Sequence, residues 1–201
     1  MTDCCAVPAH VPAAQRRVLT IVLAINLAMF VAELGGSWLA HSTALLADSV
    51  DMLGDAIVYG FSLYAIGRGT VWQARAALLK GSVMAMFGLG VLVEVGVKLT
   101  RGIVPSAEGM AAMGAVALMA NGGVLTLLWR RRGDDLNMRS AWVCSRNDVV
   151  ANGGVLLAAL GVALTGSAWP DVAVGLFIAA LFARSAIRVI GDARRALHPV
   201  A

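Results

Sequence analysis

A chain of 201 residues that is 59% hydrophobic and only 14% charged, with a mean hydropathy of +0.79, is too apolar for an ordinary soluble domain, in which about a quarter of residues are charged. The formal charge of +4 does not point to nucleic acid, because the basic residues collect at the ends of apolar segments rather than along one soluble face. Composition predicts an integral membrane protein whose solvent is the lipid bilayer, with no nucleic-acid partner.

In chain order, residues 1–15 are expected to form a short cytoplasmic tail. They carry Cys4, Cys5 and His10 without the spacing of a closed zinc site, and they lack the charged start and short apolar run of a cleaved signal. Apolar segments follow at Val18–Leu39, Thr43–Ile66, Ala76–Leu99, Gly109–Trp129, Trp142–Leu164 and Val172–Ile190, each near the roughly 20 residues that cross a bilayer as a helix. They predict an all-α, six-transmembrane-helix bundle filling 16–197 as one domain, with no soluble domain behind it. Arg16 and Arg17, Arg68 and Arg75, Arg130, Arg131, Arg132 and Arg139, and Arg194 and Arg195 fall on one side of this arrangement. By the positive-inside rule both termini are expected to be cytoplasmic, and the membrane is expected to be a bacterial inner membrane. Only the loop expected to hold Lys98 and Arg101 dissents.

The second segment carries the most informative run, Ala47-Asp48-Ser49-Val50-Asp51-Met52-Leu53-Gly54-Asp55. Charge at bilayer depth is costly, so intramembrane acids face a protein interior or a wet cavity and mark an ion or proton pathway. Steps of three and then four residues keep Asp48, Asp51 and Asp55 on one helical stripe. On the fifth segment Cys144, Asp148 and Asn152 share a face, flanked by Asn147. With a rise of about 1.5 Å per residue, Asp148 lies roughly 13 Å beyond Arg139, and Asp51 and Asp55 lie roughly 12 and 18 Å in from Thr43, so all three reach mid-bilayer. Asp51, Asp55, Asp148 and the Cys144 thiolate make a candidate four-coordinate metal site, with Asp48, Asn147 and Asn152 in support. Oxygen and sulfur ligands in a tetrahedron suit Zn²⁺ or a similar transition metal better than Ca²⁺ or Mg²⁺. The bland reading makes these acids a structural hydrogen-bonding set and Cys144 a small buried hydrophobe. Asn26, Glu33 and Asn121 are expected to be interhelical hydrogen-bonders.

Ser42-Thr43-Ala44-Leu45-Leu46-Ala47-Asp48-Ser49-Val50-Asp51-Met52-Leu53-Gly54-Asp55-Ala56 resembles the second-helix signature of the cation diffusion facilitator transporters. Asp148-Val149-Val150-Ala151-Asn152-Gly153-Gly154-Val155 resembles the fifth-helix signature, and Trp169-Pro170-Asp171 the start of the sixth. The resemblance implies metal ligands at Asp51, Asp55, Asp148 and Cys144, the last standing where the family usually has His. It implies an efflux transporter for a divalent transition metal, Zn²⁺ or else Co²⁺, Ni²⁺, Cd²⁺, Mn²⁺ or Fe²⁺, exchanged for protons by a homodimer. The stretch Gly67–Ala77 has no His, so the family's accessory site there is not expected, nor is its cytosolic domain. No prosthetic group is implied. A membrane metalloenzyme is not expected, since there is no HExxH and His10, His41 and His198 lie outside the apolar segments. The alternative is an accessory or sensor protein that binds metal without moving it.

Overall fold

The computed structural model describes residues 13–64, 70–130, 132 and 136–197, and the regular elements among them are all α-helices: α1 Ala13–Ala40, α2 Thr43–Tyr64, α3 Thr70–Arg101, α4 Ala107–Trp129, α5 Leu136–Thr165 and α6 Trp169–Leu197. The six expected segments each became a helix. Cys4, Cys5, His10, Arg68, Arg131 and His198 lie outside the described residues.

Local chemistry sets several of the ends. Ser106 caps α4, its hydroxyl accepting from the Gly109 N–H at 3.1 Å, as an N-cap serine does for a backbone donor with no partner inside the helix. The Ser106 N–H donates to the Ala40 carbonyl at 2.8 Å and so fastens the start of α4 to the end of α1. Beyond α3 and α5 the chain turns at Gly102 and Gly166, with φ of +63° and +62°, the left-handed conformation that glycine adopts without a Cβ clash.

The centre of the bundle is α2, which touches each of the other five helices. Small residues allow this: Ala44, Ala47, Ser49, Gly54 and Ala56 are all buried and let neighbouring backbones approach. At Gly175 on α6, a Cβ would stand 2.8 Å from Thr43 Cγ2 and 2.9 Å from the Thr43 carbonyl carbon, so α6 crosses the start of α2 with no room for a side chain. Around α2, α3 pairs with α6 and α4 with α5, while α1 packs on α2 and α4.

This arrangement explains how the apolar residues are shared. Among the described residues four helices are long and apolar enough to cross a membrane by themselves, at Arg16–Ala40, Gly81–Arg101, Ala107–Trp129 and Ala141–Thr165. They present exposed Val31, Leu89, Val93, Leu157 and Leu164, a surface suited to lipid. Packed against all five other helices, α2 can carry three aspartates. The apolar part of α6 spans only Trp169–Leu181.

Helices α1, α3, α5 and α6 outrun, by five to seven residues on the arginine side, the apolar segments that announced them. Helix α3 begins at Thr70, α5 at Leu136, and α6 runs from Trp169 to Leu197, so Arg75, Arg139, Arg194 and Arg195 belong to helices and not to linkers. With 32 residues, α3 is about 48 Å long, well over the roughly 30 Å of hydrocarbon. Hydropathy marks where lipid ends, not where backbone hydrogen bonding ends. On the arginine-rich side, Trp129 and Trp142 meet edge to face at 5.8 Å and the Arg132 guanidinium lies 3.8 Å from the Trp129 ring centre, an aromatic and cationic belt typical of a membrane interface.

Candidate metal centre

Asp48, Asp55, Asp148, Cys144 and Asn152 are all buried, and Asp51 is half-buried, at the meeting of α2 with α5. Asp148 on α5 lies close enough to Asp55, Asp51 and Asp48 on α2 to feel their charges. Asp55 accepts from the Tyr59 hydroxyl at 3.3 Å. Tyr59, one turn further along α2, was not singled out from the sequence, although its spacing of four from Asp55 was the available signal.

The acidic stripe is thus brought against the predicted face of α5. Asn152 donates to the Asp148 carbonyl at 2.7 Å while its side-chain oxygen stays buried and unpartnered, as do both carboxylate oxygens of Asp48. Asn147 is exposed and turned away from the buried face that holds Asp148, because one residue of rotation carries it about 100° around the helix. Among the described residues no three Cys, His, Asp or Glu side chains close around a single point. The acids stand as neighbouring groups that a cation would have to draw together.

Two expectations change. Asn121 does reach across helices, its amide making a long contact of 3.8 Å with the Met52 sulfur. Glu33, expected to be an interhelical hydrogen-bonder, instead leaves both carboxylate oxygens buried without a partner. Lys98 and Arg101 are on α3 and not in a loop. Lys98 is fully buried, with Nζ 2.6 Å from Asp171 Oδ2 and donating to Thr43 Oγ1 at 2.8 Å. Asp171 also accepts from the Ser42 hydroxyl at 2.6 Å and from the N–H groups of Thr43 and Ala44 at 2.8 and 3.1 Å. The residue that dissented from the charge pattern is therefore not a topology signal.

A six-helix membrane bundle with several acids buried on its central helix belongs among membrane proteins that handle cations. Residues 19–198 match the family model for the cation efflux transmembrane domain, and the chain belongs to that family. It is similar to the metal cation efflux system protein CzcD of Cupriavidus metallidurans, with 26% identity over 179 residues that cover 83% of this chain and 57% of that protein. It is also similar to the cadmium, cobalt and zinc/H(+)-K(+) antiporter of Bacillus subtilis, with 25% identity over 200 residues covering 91% of this chain and 63% of that one. The chain spans less than two thirds of the length of each of these relatives.

Cys144 gives a test of ligand identity. If its sulfur meets the cation, Cys144→Ser should weaken binding of softer Cd²⁺ more than of Zn²⁺, and Cys144→His should shift preference toward Zn²⁺, since thiolate favours soft ions and imidazole suits zinc. Competition binding to the purified protein reads the Cd²⁺ to Zn²⁺ affinity ratio. An unchanged ratio in both variants makes Cys144 a packing residue.

Proposed function

We propose that this chain is the transport unit of a divalent transition-metal efflux protein, that it takes Zn²⁺ or a similar ion as cargo, and that it exchanges the ion for protons. The observation that carries the reading is the gathering of Asp48, Asp51 and Asp55 on α2 with Asp148 on α5, which packs against it, Asp48, Asp55 and Asp148 being buried. The buried cation of the described residues, Lys98, is engaged by Asp171 and Thr43, so it does not neutralise this group. Metal ligation needs deprotonated groups and releases protons as it occurs. An arriving ion would displace protons from these carboxyl groups and gather Asp51, Asp55, Asp148 and the Cys144 sulfur toward it. Protons arriving from the other side would reverse the exchange. Rocking of helices around a fixed central site is enough to expose it alternately to each side. The names of the two relatives support a metal cation as cargo, and that of the Bacillus protein supports proton exchange. The proposal includes a homodimer in the bacterial inner membrane, both termini cytoplasmic, and no enzymatic activity.

The test is uptake into inside-out vesicles containing the full chain, with Zn²⁺, Co²⁺, Ni²⁺, Cd²⁺, Mn²⁺ and Fe²⁺ compared. Uptake that follows an imposed proton gradient and collapses with a protonophore is the expected result. Metal binding without uptake would make the chain an accessory or sensor protein, and uptake indifferent to the gradient would make it a uniporter.

A further inference from the structure

On the side of the bundle away from the arginine belt, a cavity of about 240 Å³ opens between α1, α2 and α3 and is lined by Ser37, His41, Ser42, Leu46 and Glu94 among others. An imidazole and a carboxylate around one cavity are an unusual lining for lipid-facing chain, and they match what a partly dehydrated divalent cation seeks; the Ser37 and Ser42 hydroxyls beside them donate to the Leu34 carbonyl and to Asp171. His41 is held there at the turn between α1 and α2 with a φ of 51°, a conformation uncommon for residues other than glycine. The cavity is not isolated in register. Glu33 lies four residues before Ser37 on α1, one turn deeper on the same face. It is completely buried, both its oxygens lack a hydrogen-bond partner, and it feels the charges of Asp48 and Asp51. Asp48 on α2, which packs against α1, is likewise without a partner for either oxygen. An unpaired acid buried in a bundle is expensive to maintain and is ordinarily functional.

We propose that the cavity is the vestibule through which the cation passes between the central site and the side away from the arginines, that His41 and Glu94 bind the divalent ion there, and that Glu33 is the relay carboxylate between vestibule and Asp48. This rests on the transport reading above. The relay lowers the step between a site that must bind and a mouth that must release. Conduction through adjacent weak sites works in the same way.

Zn²⁺ is the probe. In liposomes containing the full chain, Glu33→Gln, which keeps the shape and removes the charge, should slow Zn²⁺ flux by about tenfold or more, roughly the effect of a 1.4 kcal/mol rise in the limiting barrier. Equilibrium Zn²⁺ affinity should hold within about threefold, and Glu33→Asp should recover part of the flux. A fold-independent reading comes from Ser37→Cys in a chain with Cys4 and Cys5 changed to Ser. A cationic, membrane-impermeant thiol reagent applied from the side away from the arginines should label it, Zn²⁺ should slow the labelling, and the labelled protein should stop transporting. Full flux in Glu33→Gln, loss of affinity as large as the loss of flux, no labelling, or full flux after labelling each overturns the vestibule. Asp51→Ala separates the two readings: if it transports normally the central site is wrong, whereas if it is inactive and the vestibule variants behave as wild type, only the route is wrong.

Discussion

Vesicles containing Asp51→Ala or Asp148→Ala should lose Zn²⁺ transport by more than about 100-fold, beyond the 10- to 100-fold that loss of an outer-shell partner costs a metal site. Both proteins should remain folded, because each substitution removes one acid and relieves repulsion among neighbours that feel one another's charge. Asp55→Ala should be comparably inactive and should also leave the Tyr59 hydroxyl without its acceptor. Asp48→Ala should be milder, about tenfold, if it supports the ligands and does not itself hold the ion. Proton and metal compete for the same oxygens, so Zn²⁺ affinity should fall as pH is lowered and rise as it is raised, with proton release on binding. Calorimetry in buffers of different ionisation enthalpy measures that release directly. Wild-type flux in Asp148→Ala, or a Zn²⁺ affinity independent of pH, rules out exchange through this site.

The acids of α2 were legible because spacing alone decides which side of a helix they share, and an apolar flank decides that they are deep. The face of α5 bearing Cys144, Asp148 and Asn152 was legible for the same reason. Asn147 was not, because one position of offset changes a residue from facing a neighbour to facing out. Helix ends on the arginine side were misjudged by six residues at α3 and α5, since apolar composition stops at the membrane surface while the helix continues into water. Tyr59 and Glu33 show the deeper limit. What each side chain meets depends on how α1, α2 and α5 assemble, and periodicity within one helix is silent on that. Lys98 is the clearest case: three residues from Arg101 and near the end of an apolar run, it reads as interfacial charge. Only its contact with Asp171, 73 positions away, makes it part of the interior.

That contact leads to the prediction with the largest structural consequence. Asp171 lies in the first turn of α6, accepts from the first two N–H groups of α2, and pairs with Lys98 in the last turn of α3. The positive ends of two helices and the negative end of a third meet on one buried ion pair, each charge placed where the helix dipole favours it. Removing one member of a buried pair strands the other away from water, which typically costs about 3–5 kcal/mol. Lys98→Met should therefore destabilise the protein by about that much, and Asp171→Ala by more, because Ser42, Thr43 and Ala44 lose their acceptor as well. Lys98→Met combined with Asp171→Asn removes both charges but keeps a side-chain acceptor for the start of α2. It should lose clearly less than the sum of the two single variants, the coupling expected of residues in direct contact. Thermal unfolding in detergent, arranged as a double-mutant cycle, reads this coupling. Additive losses, or single variants within about 0.5 kcal/mol of the parent as for ordinary surface substitutions, would mean that Lys98 and Asp171 are each hydrated in the bilayer and that α2, α3 and α6 are joined at this end by apolar packing alone.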